Sequence, residues 1–311
     1  MAKNIKILSL DGGGVRALVS IPVLAFIEEQ MRKPIWQIFD YVVGVSTGAF
    51  QAAALTMPSP KPASQLGTLY TKYAPTIFST AWYQSVSNPA GLNSPLYSAS
   101  GIETALAATY SFNTLAQAKT PTMVVAYDCD ANQGVYFQSY ASSGQYMLRD
   151  VLRASSAAPT YFPPARIKLA GEAARTFIDG GMVANNPALD CMVEACRREG
   201  ATVRDCTVLS VGTGLVEHKL TYDQMASWGK LSWVSPVLDI TMDGSSDLDD
   251  YRMAQLMPDA QYLRCQTRLP DSLGKLDNPA ADNLAALSAR GQLMVTALRD
   301  RLLAFCERLA V

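Results

Sequence analysis

The sequence predicts an α/β fold built on a central, mostly parallel β-sheet. Segments with the hydrophobic patterns of strands and of helices alternate along the 311 residues. Twice near the start, an apolar run leads through glycines into a helical pattern, at Ile5–Met31 and at Val42–Leu55. Because no internal repeat or linker interrupts this order, we expect one large domain over residues 1–311.

The first of these two units begins with a buried-type strand, predicted over Ile5–Leu10. The strand ends in the glycine-rich turn Asp11–Ala17, and apolar residues at helical spacing predict a helix over Leu18–Met31. Such a turn directs backbone N–H groups at whatever lies above it. Three interpretations are open: a dinucleotide-binding loop, a plain structural turn, or an oxyanion hole formed by the amides of Gly13 and Gly14.

The second unit places a serine between a strand and a helix. The strand is predicted over Phe39–Val45 and leads into Gly44-Val45-Ser46-Thr47-Gly48, a Gly-x-Ser-x-Gly pattern. A sharp turn here would hold the Ser46 hydroxyl at the carboxyl end of the sheet, as in a nucleophile elbow. A dinucleotide-binding fold would instead need an acidic residue at the end of this strand. Two glycine-rich turns on neighbouring strands therefore favour the oxyanion-hole interpretation.

The remaining elements follow in chain order. Residues 58–100 are rich in proline and aromatic residues, and we expect either a packed irregular excursion or a lid or mouth that admits apolar substrate. Further strands are predicted at Pro121–Tyr127, Gly134–Tyr140, Thr176–Ile178 and Cys206–Val211. Helices are predicted at Met147–Ser156, at 188–198, from the acidic stretch Asp243–Asp250 onwards, and along the apolar stripe from Leu284 to Leu309.

Two residues are candidates for the general base. His218, the one histidine of the chain, lies in a polar loop and would be needed for a Ser-His-Asp triad. Asp179 follows an apolar strand and precedes two glycines, which let another part of the chain approach closely. An aspartate has an ordinary pKa of about 3.9, so Asp179 would need burial and a strong oxyanion hole to act as the base.

The composition limits which other classes of function the chain can have. The net charge of −1 gives no support for nucleic-acid binding by bulk charge. One histidine and six cysteines without metal-ligand spacing predict neither a metal nor a cofactor site, and the cysteines are expected to be buried, reduced thiols. Because the sequence has neither a secretory signal nor a long apolar run, we expect a soluble, cytoplasmic protein with at most peripheral membrane contact.

Several motifs follow one another in a fixed order: Asp11–Arg16, Gly44–Gly48, Ser156–Pro163 and Asp179–Gly181, with Asn185–Pro187 and Ser210–Gly214 in support. In these motifs and their order the sequence resembles the patatin-like phospholipases over roughly residues 5–215. The resemblance implies a three-layer α/β/α fold and calcium-independent hydrolysis of lipid acyl esters, of the phospholipase A type. It also implies a substrate at a lipid or membrane surface.

Site residues also follow from the resemblance. It implies a catalytic dyad in which Ser46 is the nucleophile and Asp179 the base. It implies an oxyanion hole formed by the turn of Gly12, Gly13 and Gly14. Arg16 matches a basic position that either holds this turn or binds a lipid phosphate. Ala17 stands where the family usually has glycine, and we expect its methyl group to be tolerated.

Other functions stay open beside this one. One is a phospholipase effector of antiphage defence that a nucleotide second messenger activates, although no nucleotide-binding motif is seen. An acyltransferase that passes the acyl group to an alcohol is another, and a non-catalytic lipid-binding relative is a third. Peripheral membrane contact and core packing are both open for the tryptophans and the tyrosine considered for this role, Trp82, Tyr83, Trp228 and Trp233.

Overall fold

The computed structural model describes residues 4–79, 94–110, 112–168, 171–217 and 220–311. Within them the strands are β1 (Ile5–Leu10), β2 (Tyr41–Val45), β3 (Thr122–Asp128), β4 (Gln133–Gln138), β5 (Ala165–Ile167), β6 (Arg175–Asp179), β7 (Cys206–Val211), β8 (Leu215–Val216), β9 (Tyr262–Cys265) and β10 (Arg268–Leu269). The helices are α1 (Ile21–Met31), α2 (Ile35–Ile38), α3 (Thr47–Thr56), α4 (Leu66–Ile77), α5 (Ala99–Tyr110), α6 (Leu148–Ser155), α7 (Ala188–Glu199), α8 (Tyr222–Met225), α9 (Lys230–Leu256) and α10 (Ala281–Leu309).

One large sheet organises the described part of the chain. Its strands follow the order β5-β6-β3-β2-β1-β7-β9, and β4 also pairs with β3. The central strands β3, β2, β1, β7 and β9 are parallel to one another. Antiparallel pairing is confined to β4, β5 and β6. The predicted α/β fold with a mostly parallel central sheet is therefore confirmed.

Helices cover both faces of this sheet. Successive residues of a strand point to opposite faces, so Ile7 and Leu8 of β1 lie in different cores. Ile7 joins the core that α7 and the second half of α9 cover. Leu8 joins the core beneath α1, α3 and α10, while α5 and α6 cover the far end of that face. These layers of helix, sheet and helix correspond to the expected three-layer arrangement.

The long C-terminal helix is the element that the hydrophobic pattern predicted best. The stripe that begins at Leu284 becomes the inner face of α10, and the helix packs against α1. Leu298 is partly buried, and the other predicted members of the stripe, Leu284, Leu287, Met294, Leu302, Phe305 and Leu309, are buried. No helix of the described residues, α10 included, is long and apolar enough to cross a membrane.

The acidic stretch Asp243–Asp250 corrects one prediction. It does not begin a helix but lies in the second half of the 27-residue helix α9. Two of its four carboxylates are paired with basic side chains, Asp243 with Arg16 (3.6 Å) and Asp249 with Arg252 (2.9 Å), and Asp250 accepts a hydrogen bond from Tyr262 (2.8 Å). These tertiary and side-chain pairs, rather than the helix dipole, stabilise the acidic residues.

Two smaller predictions also need correction. The region 58–100 was expected to be either a packed irregular excursion or a lid or mouth that admits apolar substrate. The first alternative is wrong for the described part, which contains the regular helix α4 with Pro75 inside it, and the second stays a prediction. Residues 80–93, which include Trp82 and Tyr83, lie outside the described residues. The six cysteines are free, but Cys129 is exposed and Cys196 is only partly buried, so the prediction of burial was wrong for these two.

The sheet brings the ends of β2 and β6 together. β4 pairs with Met123–Asp128 and so takes up one edge of β3. The other edge is shared, because β2 pairs with its first half up to Val45↔Val125, and β6 pairs with its second half from Ala126↔Asp179. β2 runs parallel to β3 and β6 antiparallel, so their carboxyl ends meet. The residue after β2 and the last residue of β6 therefore become neighbours.

Candidate active site

Ser46 lies at the sharp turn between β2 and α3. Its φ of 52° is in the left-handed region that non-glycine residues rarely adopt. The two glycines of the pattern are required by close contacts: a side chain on Gly48 would overlap the carbonyl oxygen of Leu10, and one on Gly44 would overlap that of Gly48. The turn therefore has the backbone of the predicted elbow, with α3 beginning directly after Ser46.

A second serine supports this turn. The backbone N–H of Ser46 donates a hydrogen bond of 2.8 Å to Ser155 Oγ, and the Ser155 hydroxyl donates one of 2.6 Å to the carbonyl oxygen of Val125. Ser155 is completely buried at the end of α6. Sequence analysis did not single it out, because a serine near the end of a helix shows no sign of a partner 109 residues away.

Asp179 lies beside Ser46, as the meeting of β2 and β6 requires. Ser46 Oγ donates a hydrogen bond of 2.7 Å to Asp179 Oδ2, and the backbone N–H of Gly181 donates one of 2.7 Å to Oδ1. Both side chains are buried. Burial raises the pKa of Asp179 from 3.8 to about 6, although the hydrogen bonds from Ser46 and Gly181 partly oppose that rise.

The glycine-rich turn after β1 lies next to this pair. The N–H of Gly12 donates to the carbonyl oxygen of Asn185 (3.3 Å), and Thr213 Oγ1 donates to the carbonyl oxygen of Gly12 (2.7 Å). Gly14 has a φ of 56°. The position of a side chain on Gly12 would lie 3.3 Å from Ser46 Cβ, so the turn and the elbow are in close contact.

Asp11 anchors the start of the turn through a buried ion pair. Arg264 of β9 donates two hydrogen bonds to the Asp11 carboxylate, of 2.6 and 2.9 Å, and Ser246 of α9 donates a third of 3.0 Å. Arg264 also donates to Ser210 Oγ (2.8 Å). The turn is thus tied to two elements from the last third of the chain, α9 and β9, which the motifs did not reveal.

A large apolar cavity adjoins Ser46. Its empty volume is about 1030 Å³, open solvent at its mouth included, and Ser46, Asp179 and Gly14 are among its lining residues. Most of the wall comes from α4, α5 and the residues beside them, including Leu66, Leu69, Ile77, Phe78, Ile102 and Leu106. A few polar side chains interrupt the wall near the serine: the Tyr70 hydroxyl lies 2.9 Å from Thr47 Oγ1, and Gln51 Nε2 donates to the same hydroxyl.

Comparison with known proteins identifies the family. The model of the patatin-like phospholipase family matches residues 8–192, more than half of the chain. This chain belongs to the patatin-like phospholipase family. The stretch that matches the family model contains Ser46, Asp179 and the glycine-rich turn.

Curated relatives agree with this assignment. Patatin-like protein 2 of Arabidopsis thaliana is 29% identical, over 92% of this chain and 82% of its own length. Patatin-1-Kuras 2 of Solanum tuberosum is 27% identical, over 94% of this chain and 86% of its own. Among solved structures, VipD from Legionella pneumophila aligns with 97% of this chain and 67% of its own, at 14% identity and a TM-score of 0.49.

Arg16, the basic residue that the resemblance to patatin-like phospholipases singled out, is buried. Its Nη2 lies 3.6 Å from Asp243 Oδ1 on α9, and its side chain is 6% exposed. It is not among the residues that line the apolar cavity. This placement suits the interpretation in which Arg16 holds the turn better than the one in which it binds a lipid phosphate.

A second, smaller pocket reaches the same carboxylate from the side of α9. Its lining includes Asp179, Pro159 and Met182, together with Leu238 and Met242 of α9. Met242 also lines the large cavity, so the two pockets adjoin.

The rival general base and a metal centre gain no support. His218 lies outside the described residues, so the structure says nothing of a triad. Among the residues that are described, no group of three or more His, Cys, Asp and Glu side chains is arranged to hold a metal ion.

Proposed function

We propose that this chain is a lipid acyl hydrolase of the phospholipase A type, which cleaves fatty-acyl esters through Ser46 and Asp179 without calcium. One observation carries the proposal: the hydrogen bond of 2.7 Å from Ser46 Oγ to Asp179 Oδ2, at the wall of an apolar cavity. Membership of the patatin-like phospholipase family supports a lipid ester as the substrate.

The hydrogen bond gives each side chain a role in the first step. Asp179 accepts the proton of Ser46 as Ser46 Oγ attacks the ester carbonyl carbon, which forms a tetrahedral intermediate and then an acyl-serine. A carboxylate with an ordinary pKa is a weak base at neutral pH. The pKa of about 6 brings Asp179 closer to the working pH, where general bases are more effective.

The negative charge that develops on the substrate oxygen needs nearby donors. We assign this role to the amides of Gly13 and Gly14, with the N-terminus of α3 adding a favourable dipole beneath Ser46. The amide of Gly12 already donates to the carbonyl oxygen of Asn185, so we assign Gly12 to the shape of the turn. Fixed amides of this kind stabilise an oxyanion without a bound cation.

The apolar cavity is the natural site for the acyl chain. Its wall is almost entirely hydrocarbon, and within the described part of the chain no lysine or arginine lines it. Asp179 passes the serine proton to the oxygen of the leaving alcohol as the ester bond breaks. Water then attacks the acyl-serine while Asp179 accepts a proton from it, and Asp179 returns that proton to Ser46 Oγ as the fatty acid leaves. The products are a fatty acid and a lysolipid or alcohol.

An ester assay tests this proposal. Hydrolysis of p-nitrophenyl butyrate is measured with EDTA and with added Ca²⁺, followed by fatty-acid release from mixed phospholipid vesicles. We expect both activities to be equal in the two conditions. We expect Ser46→Ala to lower turnover by at least about a thousandfold, and Asp179→Asn by about a hundredfold to ten-thousandfold.

Two control variants sharpen the test. Ser142→Ala replaces an exposed serine far from the dyad in sequence and should leave turnover unchanged. His218→Ala should also be nearly silent, and a loss as large as that of Ser46→Ala would favour a triad instead. A requirement for Ca²⁺, or near-normal turnover in Asp179→Asn, would contradict the proposal.

A further inference from the structure

Only the second half of helix α9 has buried side chains among those that the structure describes. The buried residues of α9 are Met242, Ser246, Asp249 and Met253, all from its second half. Among residues 230–241, leaving aside the side chain of Ser235, none is buried. At about 1.5 Å per residue, this first half extends for roughly 18 Å.

The half of α9 in which no described side chain is buried, 230–241, is nevertheless mostly apolar. Leu231 is 74% exposed, and Val234, Val237 and Ile240 are 48%, 45% and 49% exposed; we call these four residues the α9 face. Between Leu231 and Thr241 the only charged residue is Asp239, whereas residues 243–252 contain Asp243, Asp247, Asp249, Asp250 and Arg252. A group of exposed apolar side chains on one helix is typical of a surface that meets another protein or a membrane.

The same part of α9 also contributes residues to a pocket that reaches the dyad. Leu238 and Asp239 of the same half line the pocket that reaches Asp179, and Met242, one turn later, lines both pockets. Trp228, just before the helix, and Trp233 in its first turn form an edge-to-face pair with ring centroids 5.1 Å apart. Tryptophans are typical of the boundary between water and lipid.

From this arrangement we propose that the α9 face is the surface by which the protein docks on a lipid surface without net charge. A phospholipid must leave its bilayer to reach Ser46, and a docking surface beside a pocket that reaches Asp179 would shorten that transfer. The proposal rests on the proposed function only in taking an aggregated lipid as the substrate. Lys230 and Asp239 balance each other's charge, so nothing in this half favours anionic headgroups.

The test separates docking from chemistry. Sedimentation with phosphatidylcholine vesicles is measured for Ser46→Ala, which cannot consume the lipid, with and without the double substitution Val237→Asp/Ile240→Asp. Fatty-acid release from the same vesicles and hydrolysis of the soluble p-nitrophenyl butyrate are measured in chains that retain Ser46. Leu293→Asp is the matched control, because Leu293 is 59% exposed on α10, outside the α9 face.

We expect the double substitution to lower vesicle partitioning and vesicle hydrolysis by at least about tenfold, since carboxylates must be dehydrated to enter the lipid surface. Hydrolysis of the soluble ester should stay within about twofold, because the dyad is untouched. Leu293→Asp should change none of the three. Adding phosphatidylglycerol to the vesicles should not strengthen binding.

Several results would overturn the proposal. The proposal is wrong if the double variant binds phosphatidylcholine vesicles as well as Leu293→Asp does. It is also wrong if the parent chain does not bind these vesicles. A dimer that the double variant converts to monomers, with vesicle binding unchanged, would show instead that the α9 face meets a second copy. If vesicle binding required anionic lipid and disappeared at high salt concentration, docking would depend on electrostatic attraction and not on the α9 face.

A gain-of-binding variant keeps the test decisive if the double variant loses soluble-ester activity through misfolding. Val237→Trp should raise partitioning several-fold, since tryptophan favours the interface, and Leu293→Trp should not. Equal partitioning of these two variants would overturn the proposal. A parent chain that binds vesicles but hydrolyses no ester would refute the proposed function and leave the docking surface standing.

Discussion

Asp179 is a carboxylate placed where ionisation is costly. It is 1% exposed, and its two hydrogen-bond donors, Ser46 Oγ and the Gly181 amide, compensate only part of the lost hydration. Its pKa is therefore about 6 rather than 3.8. Two measurable consequences follow, one in catalysis and one in stability.

The catalytic consequence is the pH profile. Only the ionised form of Asp179 can accept the proton of Ser46, so kcat/KM should rise with pH, reach half its maximum near pH 6 and level off above pH 7. The measurement is kcat/KM for p-nitrophenyl butyrate between pH 4.5 and 8.5, corrected for the hydrolysis without enzyme. A rise of kcat/KM that reached half its maximum near pH 4 would show that burial does not raise the pKa of Asp179.

The stability consequence has the opposite direction in pH. Because the folded state holds the Asp179 proton more tightly than the unfolded state, this residue lowers the free energy of unfolding as pH rises from about 4 to about 6. Asp179→Asn has no carboxylate to ionise, so above pH 6 its free energy of unfolding should be higher than that of the parent. At about 1.36 kcal/mol per pKa unit, the gain is at most about 3 kcal/mol.

Urea unfolding at pH 8 and at pH 4 measures this difference. The gain in Asp179→Asn should be present at pH 8 and vanish at pH 4, where the aspartate is neutral in the folded state as well. Asp259→Asn, at an exposed position, serves as control and should change the free energy of unfolding by less than about 0.5 kcal/mol at both pH values. Equal stability of Asp179→Asn and the parent at pH 8 would contradict a costly buried carboxylate.

Some residues of the candidate site could be read from sequence, and others could not. The motifs named Ser46, Asp179 and the three glycines, because strained turns and close contacts restrict the residue type at those positions. Ser155 and Arg264 were missed, since an ordinary serine and arginine act there through partners far along the chain. Local patterns carry no trace of such partners.

At the scale of elements, the strand–turn–helix at Ser46 depends on its glycines. Gly48→Ala would push a methyl group against the carbonyl oxygen of Leu10, and we expect it to lower the free energy of unfolding by about 1–3 kcal/mol. It should also lower turnover, because the elbow and the end of β1 must move apart. Denaturant unfolding and the soluble-ester assay measure the two effects.

Gly67→Ala is the matched control for this prediction. Gly67 lies in α4, where an added methyl group would find its nearest neighbour 3.9 Å away. Alanine is the better helix residue, so we expect stability to rise by up to about 1 kcal/mol with turnover unchanged. If Gly48→Ala proved as stable as Gly67→Ala, this result would contradict a close contact between the elbow and the end of β1.

Element predictions succeeded where a periodic pattern met a buried face. α10 is an example, because its apolar residues repeat at helical spacing, and β1 and β2 were recognised as short apolar runs of the kind that is buried on both faces of a sheet. α9 failed for the converse reason. Its first half is apolar without a buried side, and its acids suggested a helix start although tertiary pairs stabilise them inside the helix.

At the scale of the whole molecule, the last third of the chain holds the glycine-rich turn in place. Arg264 reaches Asp11 across 253 positions of sequence, and Ser246 of α9 joins the same carboxylate. This part lies beyond residues 8–192, which match the family model. The sequence patterns predicted the layers of the fold but not this link between its two ends.

Removal of Arg264 tests that link. Arg264→Ala would leave the Asp11 carboxylate buried without its cation, and we expect a loss of about 3–5 kcal/mol in the free energy of unfolding. Arg197→Ala, which breaks the exposed pair with Glu194 on α7, should barely move the unfolding midpoint. Equal midpoints for the two variants in urea would contradict a structural role for the buried pair.

The most direct test of the central claim is covalent trapping of the nucleophile. A fluorophosphonate ester reacts with an activated serine and leaves a stable adduct that peptide mass spectrometry can locate. We expect one adduct, on Ser46, forming with the pH dependence of a group of pKa about 6 and slowed by about a hundredfold or more in Asp179→Asn. An adduct on another residue, or labelling of Asp179→Asn at the parent rate, would contradict the Ser46–Asp179 dyad.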